Sequence, residues 1–199
     1  MPDAVLIKEC ADPTLKPAIV EQFVEAAGSD DPLAITVRSG GRLILVPQPK
    51  SAVEAVEIIR KNVRGSIVRV GLTQFPAGIG NTDPSELNAE LFEPCANLRR
   101  GTAIFARILR IVARWYGNPT NDEVFPQLFD DAVYAWQTGE FEGQSIFQAQ
   151  DPGGAVMQLQ SASNEPAGSV EKRPSVPSPA VEQAEEAGIR IDLSKIGGR

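Results

Sequence analysis

From Pro94 to Tyr116 the chain runs without an interior proline, and apolar residues recur at helical spacing: Leu98, Phe105, Ile108, Leu109, Val112 and Trp115. A stretch of this length reads as one long amphipathic helix, and the rest of the fold has to cover its apolar stripe. Pro94 suits the first helical position, where no amide hydrogen bond is lost. Gly117-Asn118-Pro119 ends the run. Arg100, Arg107, Arg110 and Arg114 fall close together on the opposite face, which reads as a solvated face rather than a site for an anionic partner.

The elements around it follow in order. Residues 14–27 predict a helix through Leu15, Ile19, Val20, Phe23 and Val24, confined by Pro13 and Pro17 and stopped at Gly28. After the turn sequence Ser29-Asp30-Asp31-Pro32, the run Leu33 to Val37 and the run Leu43 to Val46 flank Ser39-Gly40-Gly41 and predict a β-hairpin. Ser51 caps a helix to about Val63, with Glu54 completing a capping box and Val53, Val56, Ile59 and Val63 as its buried stripe. Ile67 to Val70 is a third strand. It ends at Gly71, whose turn carries Leu72, Thr73 and Gln74, polar groups placed at a strand exit where they could meet a ligand. Residues 77–84 read as loop and Ser85 to Leu91 as a short helix. Asp122 to Thr138 reads as a last helix burying Leu128, Phe129, Ala132, Val133 and Trp136. The reading is α+β and mainly helical, with one core-bearing domain over residues 1–150.

Residues 151–199 hold no aromatic side chain and five prolines. Such a segment buries too little apolar surface to offset its ordering entropy, and it is expected to be a disordered tail. Its end, with Ile189, Ile191, Leu193 and Ile196, offers a short docking motif or merely a sticky tail.

Composition removes several chemistries. The chain has no histidine, which excludes Ser-His-Asp and Cys-His nucleophile systems, most zinc sites and any imidazole base. No metal or cofactor is called for. The net charge of −7 speaks against direct nucleic-acid binding. The N-terminus shows no secretory pattern, and no stretch has the length of a membrane span. Cys10 and Cys95 read equally as two buried thiols in a reducing compartment or as one disulfide in an oxidising one.

In order, Glu9-Cys10-Ala11, Asp31-Pro32-Leu33-Ala34-Ile35, Val70-Gly71-Leu72-Thr73-Gln74 and Glu93-Pro94-Cys95-Ala96-Asn97-Leu98 with Gly101 form a pattern. It resembles the lysozyme-like lytic transglycosylases of type IV secretion systems over about residues 8–110. The whole chain resembles the TraH group of conjugal-transfer proteins. The resemblance implies a lysozyme-like domain with a small β-hairpin region beside a glycan groove. It also implies a Cys10–Cys95 disulfide and hence a periplasmic site, against which the missing signal sequence leaves a cytoplasmic one open. Gln74, Thr73 and Tyr116 are then the substrate-binding positions.

The resemblance breaks at the chemistry. The family's general acid, a Glu at the end of the first helix, protonates the glycosidic oxygen. It lies five residues before the Pro of the Pro-Leu-Ala-Ile motif, which places it at Ala27, a residue with no proton to give. Glu25 is the fallback, two positions and about 200° of helical rotation away. Thr73 stands in place of a Met, and Arg69 where the family usually has an Asp. The function expected is a catalytically degenerate conjugal-transfer component that binds peptidoglycan strands or another transfer-apparatus subunit. The alternatives are an active transglycosylase using a displaced carboxylate, and a cytosolic adaptor with free thiols.

Overall fold

A computed structural model describes residues 2–79 and 83–154. From residue 155 on, the expected tail and its docking motif lie outside the described residues. The described chain is mainly helical with a small antiparallel sheet, an α+β arrangement built around two hydrophobic cores.

The long helix forms as its sequence demands. It is the fourth helix in chain order and spans Pro94–Trp115, here α4. Around it pack α1 (Ala4–Cys10), α2 (Pro17–Ala27) and α5 (Phe125–Thr138). Helix α1 was not legible in the sequence: it is about two turns long, started by the Asp3 carboxylate accepting from the Leu6 amide at 2.9 Å. Its Ile7 and Cys10 join Phe23, Leu98, Phe105, Phe129 and Trp136 in the helical core. Phe23 stacks on Phe105 with ring centroids 4.0 Å apart, and Trp136 meets Phe23 edge-on at 5.1 Å.

The second core lies under the sheet. Strand β1 (Ile35–Ser39) turns through Gly40-Gly41 into β2 (Arg42–Ile44), as expected of the hairpin. Both glycines sit at positive φ, as a two-residue turn matched to strand twist requires. Helix α3 (Ala52–Asn62) follows, with the Ser51 hydroxyl accepting from the Glu54 amide. Strand β3 (Ile67–Val70) then pairs antiparallel with β1, and β4 (Phe75–Pro76) completes the order β2-β1-β3-β4. Period-two alternation sends Val37, Val68 and Val70 to one face, where they meet Ala55, Val56 and Ile59 of α3. Thr36, Arg38, Ile67 and Arg69 belong to the other face.

Several expectations are corrected here. Val53 is 69% exposed; Ala55 replaces it, because residues 55, 56 and 59 share one helical arc whose centre lies about 110° from Val53. Trp115, also expected in the core, is 57% exposed. It ends α4, and its ring lies edge-on to Tyr116 and Phe141 instead. The short helix expected over 85–91 is two 3₁₀ turns, Pro84–Glu86 and Ala89–Phe92. The Asn88 side chain accepts from the Glu90 amide and starts the second turn afresh. The arginine face of α4 is not simply solvated. Arg107 donates to the Phe147 carbonyl and Arg110 pairs with Asp151, so the chain beyond the small hairpin β5 (Glu140–Phe141) and β6 (Gln144–Ser145) is tied back along that face. The Asp151 carboxyl is held below its ordinary value chiefly by that Arg110 hydrogen bond. Among the described residues, no helix is long and apolar enough to cross a membrane.

Candidate functional site

The turn after β3 is organised by a side chain that sequence reasoning passed over. Asn97, in the first turns of α4, is 1% exposed. Its Oδ1 accepts from the Thr73 amide and the Thr73 hydroxyl, both at 2.9 Å. Its Nδ2 donates to the carbonyls of Val70 (3.0 Å) and Leu91 (2.8 Å). All four capacities of the amide are used, which fixes the end of β3, the turn and the segment before α4 against one another. Two glycines make room for this. A Cβ at Gly71, which also has φ +70°, would stand 2.3 Å from Asn97 Nδ2, and one at Gly101 would stand 2.3 Å from the Thr73 hydroxyl. The signal that could have found Asn97 is a polar residue on the apolar face of a helix, followed four residues later by glycine.

Thr73 is fully buried and its hydroxyl is committed to Asn97, so in this conformation it presents no surface to a ligand. Gln74 is 8% exposed and holds a left-handed backbone at φ +51°, uncommon for a residue with a side chain. Its Oε1 accepts from the Thr36 hydroxyl at 2.6 Å and its Nε2 donates to the Gly71 carbonyl at 3.1 Å. Its own carbonyl accepts from Arg69.

Arg69 is the second residue the sequence reading left without a role. It is 9% exposed and has no carboxylate partner among the described residues. Nη1 donates to the Gln74 carbonyl at 3.2 Å; Nη2 donates to the carbonyls of Trp136 (2.5 Å) and Gln137 (3.0 Å). Those two carbonyls belong to the last turn of α5, where helical groups lack partners and the helix dipole is negative. The guanidinium also lies 5.8 Å from the Trp136 ring and 5.9 Å from that of Phe147. Burial first, and then the Arg38 charge, pull its pKa down to about 10.

Arg69 lines two clefts. One, of about 690 Å³, runs between Ile67, Pro76, Ile79, Glu140 and Phe147. The other, of about 500 Å³, lies between Arg38, the Gly40-Gly41 turn, Ser66 and Thr138, and no carboxylate lines it.

Ala27 closes α2, half-buried against the helical core. Its neighbours are held by neutral groups: Gln137 Nε2 donates to the Ala26 carbonyl, and the Ser29 amide donates to the Leu72 carbonyl. The end of α2 is therefore brought to the Gly71–Gln74 turn. Glu25 is exposed on the helix surface. Tyr116 is not brought to this place. It lies 19 residues beyond Asn97, about 28 Å further along the α4 axis, and its hydroxyl donates to Asp131 at 2.7 Å. That hydrogen bond raises the Tyr116 pKa above its ordinary value.

Cys10 and Cys95 form a disulfide that joins the end of α1 to the start of α4. With this geometry in view, comparison with known proteins settles the kinship. Residues 1–198 match the TraH_2 family. The chain belongs to that family. TraH_2 is linked to conjugal transfer, so the expected kinship holds at that level. A protein of Sinorhizobium fredii (strain NBRC 101917 / NGR234), named "Uncharacterized protein y4dP", is 57% identical over 204 residues, covering all of both chains. No solved structure matches this TraH_2 chain.

Proposed function

We propose that this TraH_2 protein is a non-catalytic part of a conjugal-transfer apparatus, a lysozyme-like domain that holds peptidoglycan strands without cutting them. The single observation behind the reading is the chemistry at the end of α2. Glycan cleavage of the lysozyme type needs a carboxylic acid there to protonate the departing oxygen. The residue is Ala27; beside it the Gln137 side-chain amide donates to the Ala26 carbonyl and the Ser29 amide to the Leu72 carbonyl. Glu25, the nearest upstream carboxylate, is exposed on the helix surface. Arg69, at the family's usual Asp position, donates to carbonyls and has no proton to supply as an acid at neutral pH. Gln74, Thr73 and Asn97 keep the turn in shape, which suits a groove retained for binding. The disulfide fits an oxidising compartment, and the periplasm is where peptidoglycan would be met. Another subunit of the apparatus is the second occupant the same surface could take.

Co-sedimentation with purified sacculi tests the glycan reading. The full chain is expected to pellet with sacculi and to release no muropeptides. Protein that stays in the supernatant at every sacculus concentration overturns glycan binding and leaves the partner-subunit version. Muropeptide release that is lost in Glu25→Gln would instead establish a transglycosylase with a displaced acid.

A further inference from the structure

Arg69 has more hydrogen-bonding capacity than its role as a tie between sheet and helix uses. A guanidinium has five N–H donors. Three hydrogen bonds, one from Nη1 and two from Nη2, go to the Gln74, Trp136 and Gln137 carbonyls. The remaining donors, on Nε and Nη1, have no protein acceptor among the described residues. Arg38 sits on the same sheet face. Arg69 pairs with Thr36, and Arg38 is two residues further along β1, so the two arginines are diagonal neighbours; such pairs lie about 7–8 Å apart, within reach of long side chains. Arg38 makes no ion pair or hydrogen bond among the described residues, and its charge acts unfavourably on Arg69. Two like charges side by side, one of them nine-tenths buried, are costly unless something negative joins them.

We propose that the cleft of about 500 Å³ between the β1–β2 turn and the end of α5 binds an oxyanion, a carboxylate or phosphate group, held between the guanidinium groups of Arg38 and Arg69. Ser66 and the Gly40-Gly41 turn line the same cleft. No carboxylate lines it to repel the ligand. The end of α5 carries roughly half a negative charge, less than the full charge of Arg69 that caps it, so with Arg38 the cleft stays positive. A protein of net charge −7 thus keeps a local cationic cleft. The inference does not depend on the glycan reading, although the carboxylates of muramyl peptides are one source of such a group and a phosphate ester is the other.

Calorimetric titration of the full chain with inorganic phosphate, and separately with muramyl dipeptide, tests it. At least one of them is expected to bind saturably. Arg38→Gln is expected to weaken that binding about tenfold, the worth of a lost charge-assisted bidentate contact, while Arg114→Gln on α4 leaves it unchanged. Arg38 is exposed, so its variant keeps the fold even if Arg69→Lys, which loses the planar fork, does not. Binding of phosphate alone identifies a phosphate-bearing ligand; binding of the muramyl peptide alone identifies a carboxylate. Absence of binding by both probes at millimolar concentration, or binding that Arg38→Gln leaves at the wild-type level, overturns the proposal.

Discussion

Asn97→Ala would strip the Thr73 amide, the Val70 carbonyl and the Leu91 carbonyl of their buried partner at once. A buried polar group left unpaired costs about 1–3 kcal/mol, and the variant is expected to lose on the order of 3 kcal/mol in urea unfolding. A loss below about 0.5 kcal/mol, the level of an ordinary surface substitution, would mean the amide is not the organiser of the turn. Tyr116 offers a pH test. Its raised pKa means that the stability from its hydrogen bond to Asp131 is fully present below the ordinary tyrosine value and is lost as pH rises through the higher, folded one. In an alkaline absorbance titration of a Tyr134→Phe background, Tyr116 should titrate above the ordinary tyrosine value, and Asp131→Asn should lower it; a transition that Asp131→Asn leaves in place would contradict this. At this scale the sequence was legible for apolar positions and poorly so for polar ones. Thr73 and Gln74 stood out as polar residues at a strand exit, but sequence does not reveal that their side chains are used on Asn97, Thr36 and Gly71. Long-range partners such as the Trp136 carbonyl of Arg69, 67 residues away, leave no local trace.

Helix α4 was legible because a stripe of Leu98, Phe105, Ile108, Leu109 and Val112 has a period that no strand or loop shares. Helix α3 and the β1–β2 hairpin were legible through their cap and their Gly-Gly turn. Helix α1 was missed because seven residues give too few periods to register, and β5–β6 because two-residue strands give none. Contact between elements makes two further demands. Gly101 lets α4 approach the Thr73 turn, and Gly101→Ala places a Cβ 2.3 Å from the Thr73 hydroxyl. Overpacking of this kind costs about 1–3 kcal/mol; thermal unfolding should show the drop, and an unchanged midpoint would mean the turn simply moves aside. The Cys10–Cys95 bond closes a separation of 85 residues, worth about 4–5 kcal/mol in the chain-entropy account. A Cys10→Ala/Cys95→Ala double variant should unfold at markedly lower denaturant than the wild type. Native protein should show no free thiol; two reactive thiols would return the chain to the adaptor reading.

For the whole molecule, the family is linked to conjugal transfer, the described residues build a helical core and a sheet core, and the proposed lysozyme-like reading puts its acid position at Ala27. The proposed reading gives the packing, the disulfide and the turn geometry a role in binding rather than in cleavage. The clefts beside Arg69 then become the surfaces to watch: Glu140 lines one of them, and Arg38 joins Arg69 in the other, which no carboxylate lines. That contrast was not legible in the sequence, where Arg38 and Arg69 are 31 residues apart and only strand pairing brings them to one face. The most direct measurement is zymography on peptidoglycan with the full wild-type chain beside Ala27→Glu. The account expects no clearing from the wild type and a gain of lysis in the variant, because the proposed reading places the acid's position at Ala27. Clearing by the wild type itself would contradict it, since the proton would then come from a residue other than the one at the end of α2.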